Sequence, residues 1–514
     1  MPFISLYNGT VLPSSCTPST FQYPILQGAD FLTLNTNYIS NYSAYIVNGY
    51  YPGHPNANVV GASFCNVSVS YTRPGQNNTI NAQVWLPTTW NGRMQGIGGG
   101  GFGSGLYDTV FQGMYASVGD GFATVSNDAG LPQPMNVTAP EWALTSTGNV
   151  NLYALQNFAS ISLNDGAVIA KSIIRQYYGQ NSSYGYWSGC SGGGRQGMML
   201  AQEAPDAYDG IMAGSPAMNW PSFFVADYWP QTVQQELGVV PLNCELDAIS
   251  AAAVAQCDGD DGLIDGVVSF PELCKFDPRI LVGTTVANCS DTGVSQVISP
   301  AAATVALAVW EGAKDVVRNE SLWYGFSRDA TLTSESGLAG PDYFISPEEW
   351  VKRFIFKDAS TDTSNIMPSD VAELFHKSVQ WYQSLIGTAD PNLDKFKANG
   401  GKIVSFHGLA DGLISPWGTQ DYYDKVTARD SAVHDYYRLF FAPGLQHCYG
   451  GNGAYPETAF GALVNWVENG VAPETLNATS LPTRVGGIIT RPLCAYPKQQ
   501  YYEACATRDC FVCK

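Results

Sequence analysis

Charge is scarce in this chain, and basic charge is scarcest. Charged residues make up 13% of its 514 positions, about half the usual ~25% share. Lys and Arg number 25 against 44 Asp and Glu, a formal net charge of −19. No basic run occurs, which argues against a nucleic-acid partner or an anionic membrane surface. No apolar stretch reaches the ~18 residues that a bilayer span needs, so a helical membrane protein is not expected. Internal repeats and low-complexity segments are also missing. The opening residues MPFISLYNGT lack the charged and apolar regions of a signal peptide, so a mature form with its leader removed is expected. Histidine is rare too: His54, His376, His407, His434 and His447 are the full set.

Cysteine, by contrast, is plentiful. Twelve cysteines, an even number, point to an oxidising compartment without fixing their pairing. Asn-x-Ser/Thr sequons begin at Asn8, Asn41, Asn66, Asn77, Asn136, Asn181, Asn288, Asn319 and Asn477, a density that favours secretion and glycosylation. Hydrophobic residues at 45% and aromatics at 12% describe a globular chain long enough for a large core. The expectation is an acidic, soluble, extracellular protein. Its oligomeric state is not readable.

Residues 58–134 alternate short β-branched and aromatic runs (NVSVSYT, INAQVWLP, FATVSND) with Gly-rich turns, the pattern of strands. Apolar residues at three- and four-residue spacing predict a helix over 149–178, ended near Gly179. A short strand YGYWS, a turn at Ser191, a helix to about Pro205 and a buried strand GIMAGSP (210–216) follow. KIVSFHG (402–408) and YYRLFFAPG (436–444) read as further buried strands. This strand–helix–strand rhythm predicts an α/β fold with a parallel sheet. Between its halves, 217–395 breaks the pattern and is most simply a lid inserted over the sheet's carboxyl edge. The expected division is therefore 1–216 as the first part of the core, 217–395 as lid, and 396–514 as the second part. The tail is stapled by Cys494, Cys505, Cys510 and Cys513.

The chemistry concentrates at three places. Ser191 stands in Gly189-Cys190-Ser191-Gly192-Gly193, a G-x-S-x-G whose glycines permit the tight turn that lifts a nucleophilic hydroxyl out of a sheet. Asp411, in His407-Gly408-Leu409-Ala410-Asp411, and His447 complete the order Ser, Asp, His, which is that of α/β-hydrolases. His447 would be the general base and Asp411 its orienting acid. All three follow strands, at the edge where α/β enzymes place ligands. Asp421 and Asp424 rival Asp411 but read as helical. His407 is expected to pack or hydrogen-bond inside its strand, and His434 to be solvated. An oxyanion hole needs two amides: one from Gly192, the other from the turn Gly98–Gly101, at Gly100 or Gly101. If Cys190 bonds to Cys448, the bridge pins the serine beside the histidine.

A second cluster runs from Cys257 to Val267. Carboxylates of Asp258, Asp261 and Asp265, with the carbonyls of Leu263 and Val267, suit one structural Ca2+. Cys257 and Cys274 would close that loop. It is not an EF-hand, because the twelfth position is Ser269. Cys510-x-x-Cys513 lacks the context of a redox or zinc motif and reads as structural.

Cys190-Ser191, Asp411 and His447-Cys448 resemble the hallmark of the fungal and bacterial tannase/feruloyl esterase family. So do SGCSGGGRQG (188–197) with AGSP (213–216), and the acidic loop. The resemblance covers most of the chain. It implies a Cys190–Cys448 disulfide, an α/β-hydrolase fold with an inserted lid, and a calcium site at Asp258, Asp261, Leu263, Asp265 and Val267. Cys65–Tyr71, Gly98–Gly101 and Cys244–Leu246 look tannase-like. The activity implied is therefore a secreted serine carboxylesterase acting on phenolic acid esters, galloyl esters first. Feruloyl esters are the alternative, and terephthalate monoester hydrolases share the triad. A non-catalytic, calcium-stabilised binding protein is the rival of another class.

Overall fold

A computed structural model describes residues 13–482, 484, 487–503 and 510–514. Asn8 and Cys505 lie outside them. Nine strands form one sheet: β1 (Asp30–Ile46), β2 (Ala57–Thr72), β3 (Ile80–Pro87), β4 (Arg93–Ile97), β5 (Ala123–Asn127), β6 (Tyr184–Cys190), β7 (Gly210–Gly214), β8 (Lys402–Gly408) and β9 (Tyr437–Ala442). Their order is β1-β2-β3-β5-β4-β6-β7-β8-β9. Pairing is antiparallel from β1 to β5 and parallel from β5 through β4 to β9. The parallel strands are buried along almost their whole length, as expected where helices cover both faces. The fold is thus α/β with a mixed sheet, of the α/β-hydrolase kind.

The crossovers are α1 (Asp108–Gly119), α2 (Ser162–Tyr178), α3 (Gly192–Glu203) and α4 (Pro416–Arg429), and α5 (Ala459–Asn469) follows β9. α2 stops at Gly179, whose φ of 72° makes the left-handed cap that glycine adopts without a Cβ penalty. The predicted helix 149–178 is real but interrupted: 152–156 is α-helical, 157–161 is a π-turn, and α2 follows. Asp421 and Asp424 are in α4, as their helical pattern implied.

Between β7 and β8 the chain leaves the sheet. Residues 217–395 form helices, including 220–227, 243–257, 300–311 and 371–386, and two short ribbons that join no central strand. Aromatic rings hold this segment together: Trp220 on Phe224 at 4.6 Å, Phe224 on Trp350 at 5.9 Å, and Trp350 on Phe354 at 4.1 Å between centroids. Its core is continuous with Phe102, Leu155 and Phe158 of the preceding region. The segment also touches the loops after β8 and β9. Ser415 Oγ donates to Gly325 O (2.6 Å), and Gln446 Nε2 to Thr331 Oγ1 (2.7 Å).

Candidate active site

β6 delivers the chain to Ser191, and α3 begins at the next residue. Ser191 has φ 60° and ψ −124°, a conformation costing an L-residue about 1–3 kcal/mol. Backbone bonds hold it there: Ser191 N–H donates to Gly214 O (3.0 Å), and Ser191 O accepts from Arg195 (2.9 Å) and Ala217 (3.1 Å). The hydroxyl therefore sits at a helix N-terminus, where developing negative charge is favoured.

Glycine is required here by close approach. A Cβ on Gly193 would lie 2.6 Å from Gly99 O, and one on Gly194 2.5 Å from Gly214 O. The turn 98–101 therefore packs directly on the start of α3. A Cβ on Gly192 would stand 3.2 Å from Gly101 N. Gly98 N–H donates to Ser188 O (3.0 Å), Gly99 N–H to Gln196 Oε1 (2.9 Å), and Gly100 is bridged to Gly103. The structure thus brings the predicted Gly192, Gly100 and Gly101 together.

Asp411 is completely buried in the loop after β8. Its Oδ1 accepts the amides of Leu413 and Ile414, both at 2.9 Å. Its Oδ2 lies 2.8 Å from His447 Nδ1 and 3.1 Å from His407 Nε2. Burial alone would raise the Asp411 pKa. The adjacent His447 charge and the bonds from both histidines reverse that and hold the carboxyl well below the usual range. With Nδ1 bonded to the carboxylate, His447 keeps Nε2 as its second nitrogen for proton exchange. Covalent geometry links this pair to the serine: Cys190 and Cys448 are disulfide-bonded, with Cα atoms 6.0 Å apart. Cys448 itself has a left-handed φ of 59°.

Two residues of the serine motif escaped role assignment from sequence. Gln196 holds the glycine turn, accepting from Gly99 and donating to Ser104 O (3.1 Å). Arg195 is fully buried and donates to Ala159 O (2.9 Å) and Phe158 O (3.1 Å), the carbonyls of the π-turn. Burial pushes its pKa down to about 9. Their place inside SGGGRQG was the only available signal.

The acidic loop is also built of bonds. Asp258 accepts the amides of Asp265 (3.0 Å), Gly266 (2.8 Å) and Val267 (3.1 Å). Asp261 accepts from Leu263 N (2.9 Å) and Ser269 Oγ (2.5 Å), and Asp265 pairs with Arg491. The carboxylates do not meet at a single point. Among the described residues, the one tight His/Cys/Asp/Glu group is Cys244, Cys289 and Asp291, and its cysteines are joined in a disulfide. The donors nevertheless fit a hard cation in kind, being all oxygen, and Asp265 Oδ1 is buried without a partner. Cys257–Cys274 closes the loop as expected. Cys16–Cys65 and Cys494–Cys513 are two further bridges, and there is no free cysteine among the described residues.

The chain is similar to known proteins along most of its length. The family profile described as "Tannase and feruloyl esterase" matches residues 65–511. A "Probable feruloyl esterase" of Arthroderma benhamiae is 39% identical over 468 residues, 88% of this chain and 85% of that protein. The "Tannase" of Aspergillus oryzae is 28% identical, covering 87% and 84%. The solved structure titled "Tannin acyl hydrolase from Aspergillus niger" superposes with a TM-score of 0.86 at 27% identity, over 98% of this chain and 96% of that one.

Proposed function

The chain belongs to the tannase and feruloyl esterase family, a family of carboxylic ester hydrolases, and we propose that Ser191, His447 and Asp411 are its catalytic triad. Ser191 Oγ attacks the ester carbonyl while His447 Nε2 takes its proton and returns it to the leaving alcohol. Asp411 fixes the tautomer and offsets the imidazolium charge. The amides of Gly192 and of Gly100 or Gly101 receive the oxyanion. The bond between Gly100 and Gly103 uses the Gly100 carbonyl, which accepts from Gly103 N–H (2.9 Å), so both amides stay candidates. Water then releases the acid by the same steps in reverse. The observation carrying this reading is the Cys190–Cys448 bridge. It ties the residue before a strained serine to the residue after a histidine held 2.8 Å from a buried carboxylate.

For substrate we propose esters of phenolic acids, with galloyl esters first. The fold match to tannin acyl hydrolase, end to end, supports gallate. Asp227 is a buried carboxyl with Oδ2 unpartnered. Burial and the nearby charge of Asp411 raise its pKa well above the ordinary value. Feruloyl esters are the second reading, favoured by the relative at 39% identity. Residues 217–395 act as the lid in this proposal, and the acidic loop as a structural calcium site. Secretion and glycosylation are proposed from the disulfides and from the exposed sequon residues Asn41, Asn77, Asn136, Asn181, Asn288, Asn319 and Asn477. No helix is long and apolar enough to cross a membrane among the described residues.

Hydrolysis of methyl gallate and methyl ferulate, measured side by side with Ser191→Ala as blank, tests both layers. Loss of turnover in Ser191→Ala is expected, and turnover at the parent rate would sink the triad. Preference for gallate or ferulate decides the acyl group. Labelling of Ser191 by an organophosphate separates an esterase from a binding protein.

A further inference from the structure

The buried histidine of β8 is more than filling. His407 is wholly inaccessible, and its ring spans two elements. Nε2 lies 3.1 Å from Asp411 Oδ2 and 3.0 Å from Ile414 O. Nδ1 lies 2.9 Å from Thr419 Oγ1, on α4. Both neighbours of Nε2 are acceptors, so Nε2 carries the hydrogen. A neutral ring then accepts at Nδ1 from the Thr419 hydroxyl, and every polar atom is satisfied without a second buried charge. The same Oδ2 also receives His447 Nδ1 at 2.8 Å. One carboxylate oxygen is therefore shared between two imidazoles.

We propose that His407 is a positioning residue that fixes Asp411 and sets how strongly it attracts the proton of His447. This rests on the triad reading above. Its physical content is a competition. Each hydrogen bond that Asp411 accepts draws off part of its negative charge, and Leu413, Ile414 and His407 all draw on it. What remains is offered to the His447 imidazolium. Removing the His407 donor concentrates more charge on His447, stabilises its protonated form, and carries protonation to higher pH. Asp227, on helix 220–227, also lies within electrostatic reach of Asp411. Asp411 itself disfavours the charge on Asp227, so that carboxyl does not take over the role. Thr419 is the α4 partner that keeps the His407 ring in its tautomer.

Two amide substitutions isolate the contact. His407→Gln is long enough to set an N–H where Nε2 stands. His407→Asn reaches only as far as Nδ1, keeping a partner for Thr419 and losing Asp411. The pH profile of kcat/KM on a phenolic methyl ester is the readout, with near-UV circular dichroism confirming the fold. In His407→Asn the acid limb should move up by about half a pH unit or more, because a carboxylate freed of a donor favours the cation beside it. Its plateau should fall roughly tenfold, the scale of losing a ligand-orienting bond. His407→Gln should keep both close to the parent. An unmoved acid limb in folded His407→Asn overturns the proposal, whatever happens to the plateau. Failure of the underlying triad reading would look different: organophosphate labelling of the parent would then be absent or would survive Ser191→Ala. If His407→Asn does not fold, His407→Leu, which likewise lacks the donor to Asp411, takes its place, and an unmoved acid limb there overturns the proposal equally.

Discussion

Opening the Cys190–Cys448 bridge should disable this protein before it unfolds it. A reductant would not show this, since four other described bridges would open with it. The clean perturbation is Cys190→Ala with Cys448→Ala. The bridge spans 258 residues, for which the chain-entropy relation gives a stabilisation of about 5.5 kcal/mol. The nested Cys244–Cys289 bridge shortens that loop by 45 residues, too little to matter where the dependence is logarithmic. The local effect is separate. Ser191 and Cys448 both hold left-handed φ angles, 60° and 59°, each roughly 1–2 kcal/mol uphill for an L-residue. Without the cross-link, the turn after His447 is free to relax, held mainly by Tyr449 N–H to His447 O (2.7 Å) and Gln446 N–H to Gly450 O (3.2 Å). A shift of ~1 Å at a reacting group costs about 100-fold in rate. The expected result is kcat/KM down about 100-fold at a temperature where near-UV circular dichroism is unchanged. Guanidinium unfolding should show a loss of at most about 5.5 kcal/mol. Activity within threefold of the parent, beside a loss of several kcal/mol, would refute the positioning role and leave the bridge a plain staple.

Arg195→Met leaves the carbonyls of Phe158 and Ala159 without their donor. It should destabilise by about 1–3 kcal/mol in denaturant titrations, and an unchanged midpoint would mean those bonds carry little. Asp227 has a raised folded pKa, so its contribution to stability is full below the unfolded value of about 3.9 and is lost as pH rises toward the folded value. Asp227→Asn should therefore raise Tm near neutral pH and not near pH 4, while a uniform shift would contradict the buried, neutral carboxyl. Asp411 is opposite in sign: its stabilisation is present above about pH 3.9 and fades as pH falls further. Asp411→Asn should flatten the acid side of the stability profile. Stripping divalent ions with a chelator should lower Tm, and calcium should restore it in the parent but not in Asp258→Ala. No change on stripping would remove calcium from the account.

Much of the sheet was legible because its parallel strands are short, apolar and flanked by glycine. KIVSFHG maps onto β8 without a shift, YGYWS falls in β6, and GIMAGSP overruns β7, which ends at Gly214, by two residues. β1 was not read at all. Its core, LNTNYISNYSAY, is rich in Asn and Ser and only half-covered, as suits an edge strand with one pairing partner. In the site, residue types and order point to Ser191, Asp411 and His447, and the structure sets His447 Nδ1 2.8 Å from Asp411 Oδ2 and joins Cys190 to Cys448. His407 reads as a strand residue that packs or bonds, and nothing local says that its partner is Asp411, four positions on. The roles of Gln196 and Arg195 depend on elements 92 to 97 and 36 to 37 residues away in sequence, and no local pattern encodes such distances.

The π-turn at 157–161 has one more consequence. Leu155, Phe158 and Ala159 are buried in the core shared with residues 217–395, whereas Leu163, Ala167, Ile173 and Ile174 of α2 are buried against the sheet. An α-helix advances about 100° per residue, so one residue more or less re-aims everything before it. The bulge is a phase change that lets a single rod present one stripe to each of two cores. Deleting one residue there would straighten the helix and swing Leu155 about a quarter-turn out of register. The carbonyls that Arg195 grips would turn with it. The spacing between sheet and insertion is thus kept by a counted residue, and its identity matters less than its presence.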